Sequence, residues 1–259
     1  MYTREDLLAD IKDIGIDPEG TLLIHSSMKA IGEVEGRADT VLDVFIEYMK
    51  DGLLIFPTHS WDVDNLRNNI YNPLTEPSCV GILTNLFRKR EGVLRSLHPT
   101  HSVAVLGKDA EEYIKGEENS ETPCPRTGCW GRLYDQRAQI LFLGCSLKRN
   151  TYIHGVEEWN NIADRLKEKP VEIRVINPYG DNYETNLYRH YSTHGDVSQN
   201  YDKLLLPFLH KGIAREGKIG DAVSYLCSAR KMAELTTEFL KKDIDLFADD
   251  KPVPEGWYI

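Results

Sequence analysis

His154 and Glu157 stand three residues apart in the stretch Asn150-Thr151-Tyr152-Ile153-His154-Gly155-Val156-Glu157. The segment from Thr151 to about Trp159 reads as a helix, and residues at i and i+3 share a helix face. Imidazoles titrate near neutral pH, and a neighbouring carboxylate can fix one ring nitrogen and leave the other free as a base. The same spacing also describes an ordinary surface ion pair on a helix turn. The preceding run Ile140-Leu141-Phe142-Leu143, broken by Gly144, reads as a buried strand running out into a loop. Open α/β sheets gather their chemistry at the C-terminal ends of such strands.

Similar polar clusters sit beside other apolar runs. Thr21-Leu22-Leu23-Ile24, after the turn Asp17-Pro18-Glu19-Gly20, ends in His25-Ser26-Ser27-Met28-Lys29. Leu53-Leu54-Ile55-Phe56 ends in Pro57-Thr58-His59-Ser60-Trp61-Asp62. His98-Pro99-Thr100-His101-Ser102 instead precedes its strand, Ser102 to Leu106. If the strands are parallel, the three strand-end clusters share one edge and loops bring the fourth near. Hydroxyls and backbone N–H groups at such an edge suit a ligand with carbonyls and phosphates. A lone Ser26 or Ser27 would serve equally as a helix N-cap.

These clusters need a frame. Val41, Leu42, Phe45, Tyr48 and Met49 have amphipathic helix spacing and stop at Asp51-Gly52; Val80, Leu83, Leu86 and Phe87 mark another helix, ended by Gly92. Strand and helix alternate to about residue 160, which predicts an α/β/α layered sandwich around a largely parallel central sheet. Beyond it, Val171–Val175 alternates like a half-exposed strand with Tyr183-Glu184-Thr185 as hairpin partner. Tyr201 to Lys211 and Ser228 to Phe247 read as helices, and the chain from Lys251 as an extended tail. No linker divides the chain. It reads as one domain, 1–259: a core with the cleft over about 1–160, and an acceptor-side hairpin, helices and tail over about 161–259.

Composition sets outer bounds. A 41% hydrophobic and 28% charged chain of 259 residues fits an ordinary soluble globule. No apolar run approaches the roughly 18 residues of a membrane helix, and the polar, acidic start is unlike a signal peptide. Five cysteines without a CxxC pair point to a reducing cytoplasm rather than to disulfides or a zinc ribbon. The formal charge of −10 argues against nucleic acid and anionic membranes as partners and suits a cationic ligand loosely.

Leu23-Ile24-His25-Ser26-Ser27-Met28-Lys29-Ala30-Ile31-Gly32 resembles the opening motif of the aminoglycoside N(3)-acetyltransferase family. Leu53 to Trp61, Val93 to Val103, and Leu143-Gly144 followed by Asn150-Thr151, His154 and Glu157 resemble further family motifs, in family order; Gly217-Lys218-Ile219-Gly220 matches more weakly. The resemblance implies an α/β/α fold distinct from the Gcn5-like acetyltransferase fold, and acetyl transfer from acetyl-CoA to an amine of an aminoglycoside antibiotic or related amino sugar. It implies that His25, Ser26, Ser27, Met28 and Lys29 lie along CoA, that Pro57, Thr58, His98 and Ser102 line the same cleft, and that His154 and Glu157 are catalytic. The chain departs from the family at Thr122-Pro123-Cys124-Pro125-Arg126, where many members carry a Ser-Pro pair, and over Tyr183 to Asp202.

Such chemistry needs a base, because an amine at pH 7 is mostly protonated. His154 suits that role, while Glu157 fixes its tautomer or holds the incoming ammonium. Ser26 and Ser27, through N–H or hydroxyl groups, would stabilise the oxyanion. Asp62, Asp196 and Asp202 are the carboxylates on offer to a cationic acceptor. Direct attack on the thioester is expected, since no Gly-x-Ser-x-Gly elbow occurs, and no metal is needed. Two other classes remain open: a CoA-binding protein without turnover, and a metal-dependent hydrolase drawing on His25, His59, His98, His101 and His154. Gly212 to Lys218 matches most of a P-loop, but Ile219 replaces the hydroxyl residue and a helix precedes it.

Overall fold

The computed structural model describes residues 1–61, 68–178 and 180–259. Three strands form the centre of the main sheet: β1 (Thr21–Ser26), β2 (Leu53–Pro57) and β6 (Gln139–Leu143). β1 pairs in parallel with both neighbours. Their near-continuous apolar runs are buried along almost their whole length, as strands covered on both faces must be.

The flanks run differently. β5 (Val103–Gly107) lies antiparallel on β2, and β4 (Leu94–Arg95) antiparallel on β5. On the other side β10 (Ala222–Ser228) pairs antiparallel with β6, and β9 (Ala214–Ile219) with β10. The order is β4-β5-β2-β1-β6-β10-β9. Strands β4, β2, β1, β6 and β9 therefore point one way, while β5 and β10 run against them. The largely parallel sheet expected from strand and helix alternation is thus found with antiparallel flanks. Reversal of β5 matters most: Pro57 at the end of β2 pairs with Val103 at the start of β5. The His98 to Ser102 loop reaches the strand-end edge because its strand is reversed, not because a long loop carries it there.

Alternate residues of the central strands feed two cores. Leu22, Ile24, Leu54, Phe56, Leu141 and Leu143 pack under α1 (Arg4–Asp13), α2 (Arg37–Tyr48) and α3 (Ile82–Phe87). Leu23, Ile55, Ile140 and Phe142 face the opposite layer. That layer contains α4 (Ala110–Ile114), α5 (Cys129–Asp135), α6 (Thr151–Trp159), α7 (Leu205–His210) and α8 (Ala229–Lys242). A smaller sheet joins β3 (Ile70–Tyr71), β7 (Val171–Val175) and β8 (Tyr183–Leu187), with the expected β7–β8 hairpin in antiparallel register.

Two readings of the second half change. The P-loop-like stretch is mostly strand β9, one arm of a β9–β10 hairpin that periodicity did not show. Its Gly217 lies against α1, where an added Cβ would meet Ile14 at 2.8 Å, so it is a packing glycine rather than a phosphate cradle. The last helix ends at Lys242 rather than near Phe247. Among the described residues no helix is long and apolar enough to cross a membrane.

Candidate active site

The chain leaves β6 through Gly144, whose φ of +63° and close approach to Ala30 leave no room for a side chain. A 3-10 turn, Leu147–Arg149, then leads into α6. His154 and Glu157 lie on one face of that helix, as their spacing requires. Their nearest atoms, Nδ1 and Oε2, are 3.6 Å apart, beyond a hydrogen bond. The Tyr201 hydroxyl closes the gap, donating to Glu157 Oε2 at 2.5 Å and lying 2.7 Å from His154 Nδ1.

This bridge settles the tautomer. A phenol has one proton. Because Tyr201 gives it to Glu157, its oxygen is left to accept from His154 Nδ1–H. In the neutral ring the other nitrogen, Nε2, is then the one that carries the lone pair. His154 lines the cleft with its side chain 19% exposed, while Glu157 is completely buried.

Glu157 Oε1 is held by Arg165 Nε at 2.5 Å, and Arg165 is itself buried. Burial opposes ionisation of Glu157, but His154 and Arg165 together outweigh it and hold the carboxyl below its ordinary range. Burial, reinforced by the Glu157 charge, pushes Tyr201 well above the usual phenol range, so it stays protonated.

The cleft in front of His154 has a volume of about 930 Å³. His25, Ser26, Ser27, Met28, Lys29 and Pro57 all line it, joined by His59 and Thr100. Thr58, His98 and Ser102 do not line it; they brace the wall behind. Ser102 Oγ donates to Thr58 O at 3.0 Å and accepts from Thr58 Oγ1, and Arg95 Nε reaches both hydroxyls at 3.1 Å. His98 Nδ1 accepts the amides of Thr100 and His101, which makes Nε2 the protonated atom that donates to Thr122 O. The Ser27 amide is also occupied, donating to Leu143 O at 2.8 Å. Of the donors expected at Ser27, the hydroxyl remains.

The three aspartates fare differently. Asp62 lies outside the described residues. Asp196 lines the cleft, but its carboxylate closes its own turn through Ser198 and Gln199. Asp202 accepts from the Lys148 amide and lines a neighbouring cavity of about 300 Å³ instead.

The histidines gather without forming the imagined metal site. His154 stacks on His190 at 4.4 Å, His190 meets His101 at 5.0 Å, and His101 meets His59 at 4.8 Å between ring centres. His25 stacks on Phe142 and Trp130, and burial pushes its pKa down to about 3. Burial likewise lowers His59, His101 and His190. Among the described residues, the one set of three donor atoms close enough for a metal is Cys124, Glu158 and His190. These already serve one another: Glu158 Oε1 contacts His190 Nε2 at 2.7 Å and accepts the Cys124 amide. Burial and Glu158 drive the Cys124 thiol well up, against the thiolate a metal would require.

With this geometry in place, comparison with known proteins is direct. The sequence profile of the aminoglycoside 3-N-acetyltransferase family matches residues 23–241. The chain belongs to that family. It is 26% identical over 251 residues to aminoglycoside N(3)-acetyltransferase IX of Micromonospora chalcea, covering 88% of this chain and 89% of that one. It is 27% identical over 176 residues to the SPbeta prophage-derived aminoglycoside N(3')-acetyltransferase-like protein YokD of Bacillus subtilis, covering 60% of this chain and 64% of YokD. Among solved structures, a mutant of aminoglycoside acetyltransferase AAC(3)-IVa in complex with a gentamicin superposes with a TM-score of 0.82 at 21% identity, covering 100% of this chain and 94% of that one. AAC-IIIb in a binary complex with CoASH gives 0.79 at 21% identity, covering 98% and 99%. Family membership bears out the expected acyltransferase, and the superpositions bear out the expected fold.

Three residues of the site escaped the sequence. Tyr201, Arg165 and His190 complete or face the His154 pair but sit 44, 8 and 36 positions from the nearer partner or ring they serve. For Tyr201 the one signal was a surplus of tyrosines over 183–201; for Arg165 there was none.

Proposed function

We propose that this protein is an acetyl-CoA-dependent N-acetyltransferase acting on an amine of an aminoglycoside or related amino sugar, with His154 as general base. The supporting observation is the His154–Tyr201–Glu157 relay, which presents His154 to a cleft lined by the strand-end loops and is buried behind it. His25 to Lys29 and Pro57 would lie along the pantetheine arm and acyl group. Lys29, Lys148 and Arg149, which also line the cleft, would face the phosphates of CoA.

The acceptor reacts as the free amine, its ammonium proton having been lost to solvent on binding; as its nitrogen attacks the thioester carbonyl, His154 Nε2 takes the proton that the new C–N bond makes acidic. The hydroxyls of Ser26 and Ser27 stabilise the resulting oxyanion. Collapse of the tetrahedral adduct breaks the C–S bond, and the departing thiolate takes the proton back from His154. The products are the N-acetylated amine and free CoA. While His154 is cationic, the Glu157 carboxylate compensates it through Tyr201.

Release of free CoA from acetyl-CoA, followed across a panel of aminoglycosides and simple amino sugars with mass detection of the N-acetyl product, tests this. Turnover with at least one amine is expected. No turnover together with no calorimetric binding of CoA would overturn it.

A further inference from the structure

The sign of the cleft is opposite to that of the chain. The protein carries a formal charge of −10. Yet among the described residues the cleft is lined by Lys29, Lys148, Arg149, Arg165 and Arg189 against one carboxylate, Asp196. Asp196 is already taken by Ser198 and Gln199.

Lys29, Lys148 and Arg149 stand on the loops after β1 and β6, where CoA has its own use for them. Arg165 and Arg189 stand on the opposite wall. Lys167 N donates to Arg189 O at 2.9 Å and Tyr191 N to Arg165 O at 3.0 Å, so the two short segments lie side by side. Between them His190 stacks on His154. Both arginines line the cleft on the two segments that present His190 to His154, with Arg165 turned onto Glu157 behind the base.

Neither guanidinium is fully satisfied. Arg165 uses Nε on Glu157 and Nη1 on the carbonyls of Ala163 and Asp164, and its Nη2 is buried without a partner. Arg189 Nε is likewise buried without a partner, and Arg189 forms no ion pair among the described residues. A charged donor left buried without an acceptor is costly, and a guanidinium fork matches the oxygens of a carboxylate or phosphoryl group. A polycationic acceptor would bring like charge to this wall, with Asp196 as the single lining carboxylate among the described residues to receive it.

We propose that the amine acceptor also carries an acidic group, carboxylate or phosphoryl, which Arg189 contacts directly and Arg165 supports from behind. This rests on the acetyl-transfer reading and narrows its acceptor to acidic amino sugars and amines of similar charge.

Calorimetry on the His154→Ala protein, with CoA bound and without it, tests this using glucosamine, muramic acid, glucosamine 6-phosphate and neomycin. Muramic acid or glucosamine 6-phosphate is expected to bind about tenfold or more tighter than glucosamine, and whichever gains names the acidic group. Added salt should erode that gain, Arg189→Gln should abolish it, and Arg189→Lys should restore part of it, all at unchanged thermal midpoint. Equal binding of glucosamine and both acids, tighter binding of neomycin, or a gain that survives Arg189→Gln would overturn the proposal. Failure to bind CoA would count against acetyl transfer alone, because the preference for the acids is read in the CoA-free protein as well.

Discussion

The two walls of the cleft are built on different principles. The wall proposed to hold the donor is made where strands end: His25 and Ser26 at the end of β1, Ser27 to Lys29 after it, Pro57 at the end of β2, and Lys148 to Asn150 shortly after β6. The sheet fixes where these residues lie. The wall proposed to face the acceptor, roughly 161–201, holds its place through distant contacts: the Leu166–His190 bridge, Arg165 on Glu157, and Tyr201 on His154. Position on the first wall follows from where an apolar run ends. Position on the second follows from pairings that no local period encodes.

The largest expected effect breaks the joint between the walls. Glu157→Ala leaves the Arg165 charge buried and uncompensated and should cost about 3–5 kcal/mol, read by urea denaturation. A loss under about 1 kcal/mol would mean the acceptor wall stands independently of α6.

Acid should loosen both walls. His25, on the donor wall, and His59, His101 and His190 are held below their ordinary pKa by burial. In the unfolded chain they titrate near 6.5, so below that pH the unfolded state binds more protons and stability falls. For His25 the loss runs from about 6.5 down to its folded value of about 3. Urea midpoints at pH 7.5 and 5.5 should differ by about 1 kcal/mol for each histidine that stays neutral. Imidazole NMR sharpens the comparison: His190 titrating at its free value while His25 stays neutral would show the acceptor wall to be the more open.

Tyr201→Phe removes the bridge but keeps the packing. It strands His154 Nδ1 and Glu157 Oε2 and should cost about 1–3 kcal/mol in stability, with a fall in kcat larger than any rise in KM. An unchanged kcat would show that the relay is structural only. The smallest effect belongs to Asp196→Ala, which loses a cap to Ser198 worth about 1 kcal/mol and should leave acceptor affinity within twofold.

Much of the donor wall was legible. Apolar runs with polar ends located β1, β2 and β6 to within two residues, and the i, i+3 spacing put His154 and Glu157 on one face. What alternation does not carry is direction, so the reversed β5 and the reason His98 to Ser102 reach the edge were invisible. Thr58, His98 and Ser102 have the chemistry of ligand contacts yet spend it on one another, on Arg95 and on backbone. Tyr201 was hidden for another reason: it belongs to a 3-10 segment, Val197–Leu204, whose contribution exists only once residues 47 positions apart meet. Net charge does not resolve the cleft, because −10 over the whole chain says nothing of a lining that, among the described residues, holds five Lys and Arg against one carboxylate.

The most direct test of the central claim is the turnover of His154→Ala beside the wild type, with the best acceptor found and with CoA affinity measured on both. General-base catalysis by His154 predicts a fall in kcat of about 10²–10⁴-fold at unchanged CoA affinity. A variant that keeps kcat within about threefold of wild type would contradict it, since no base worth having contributes so little.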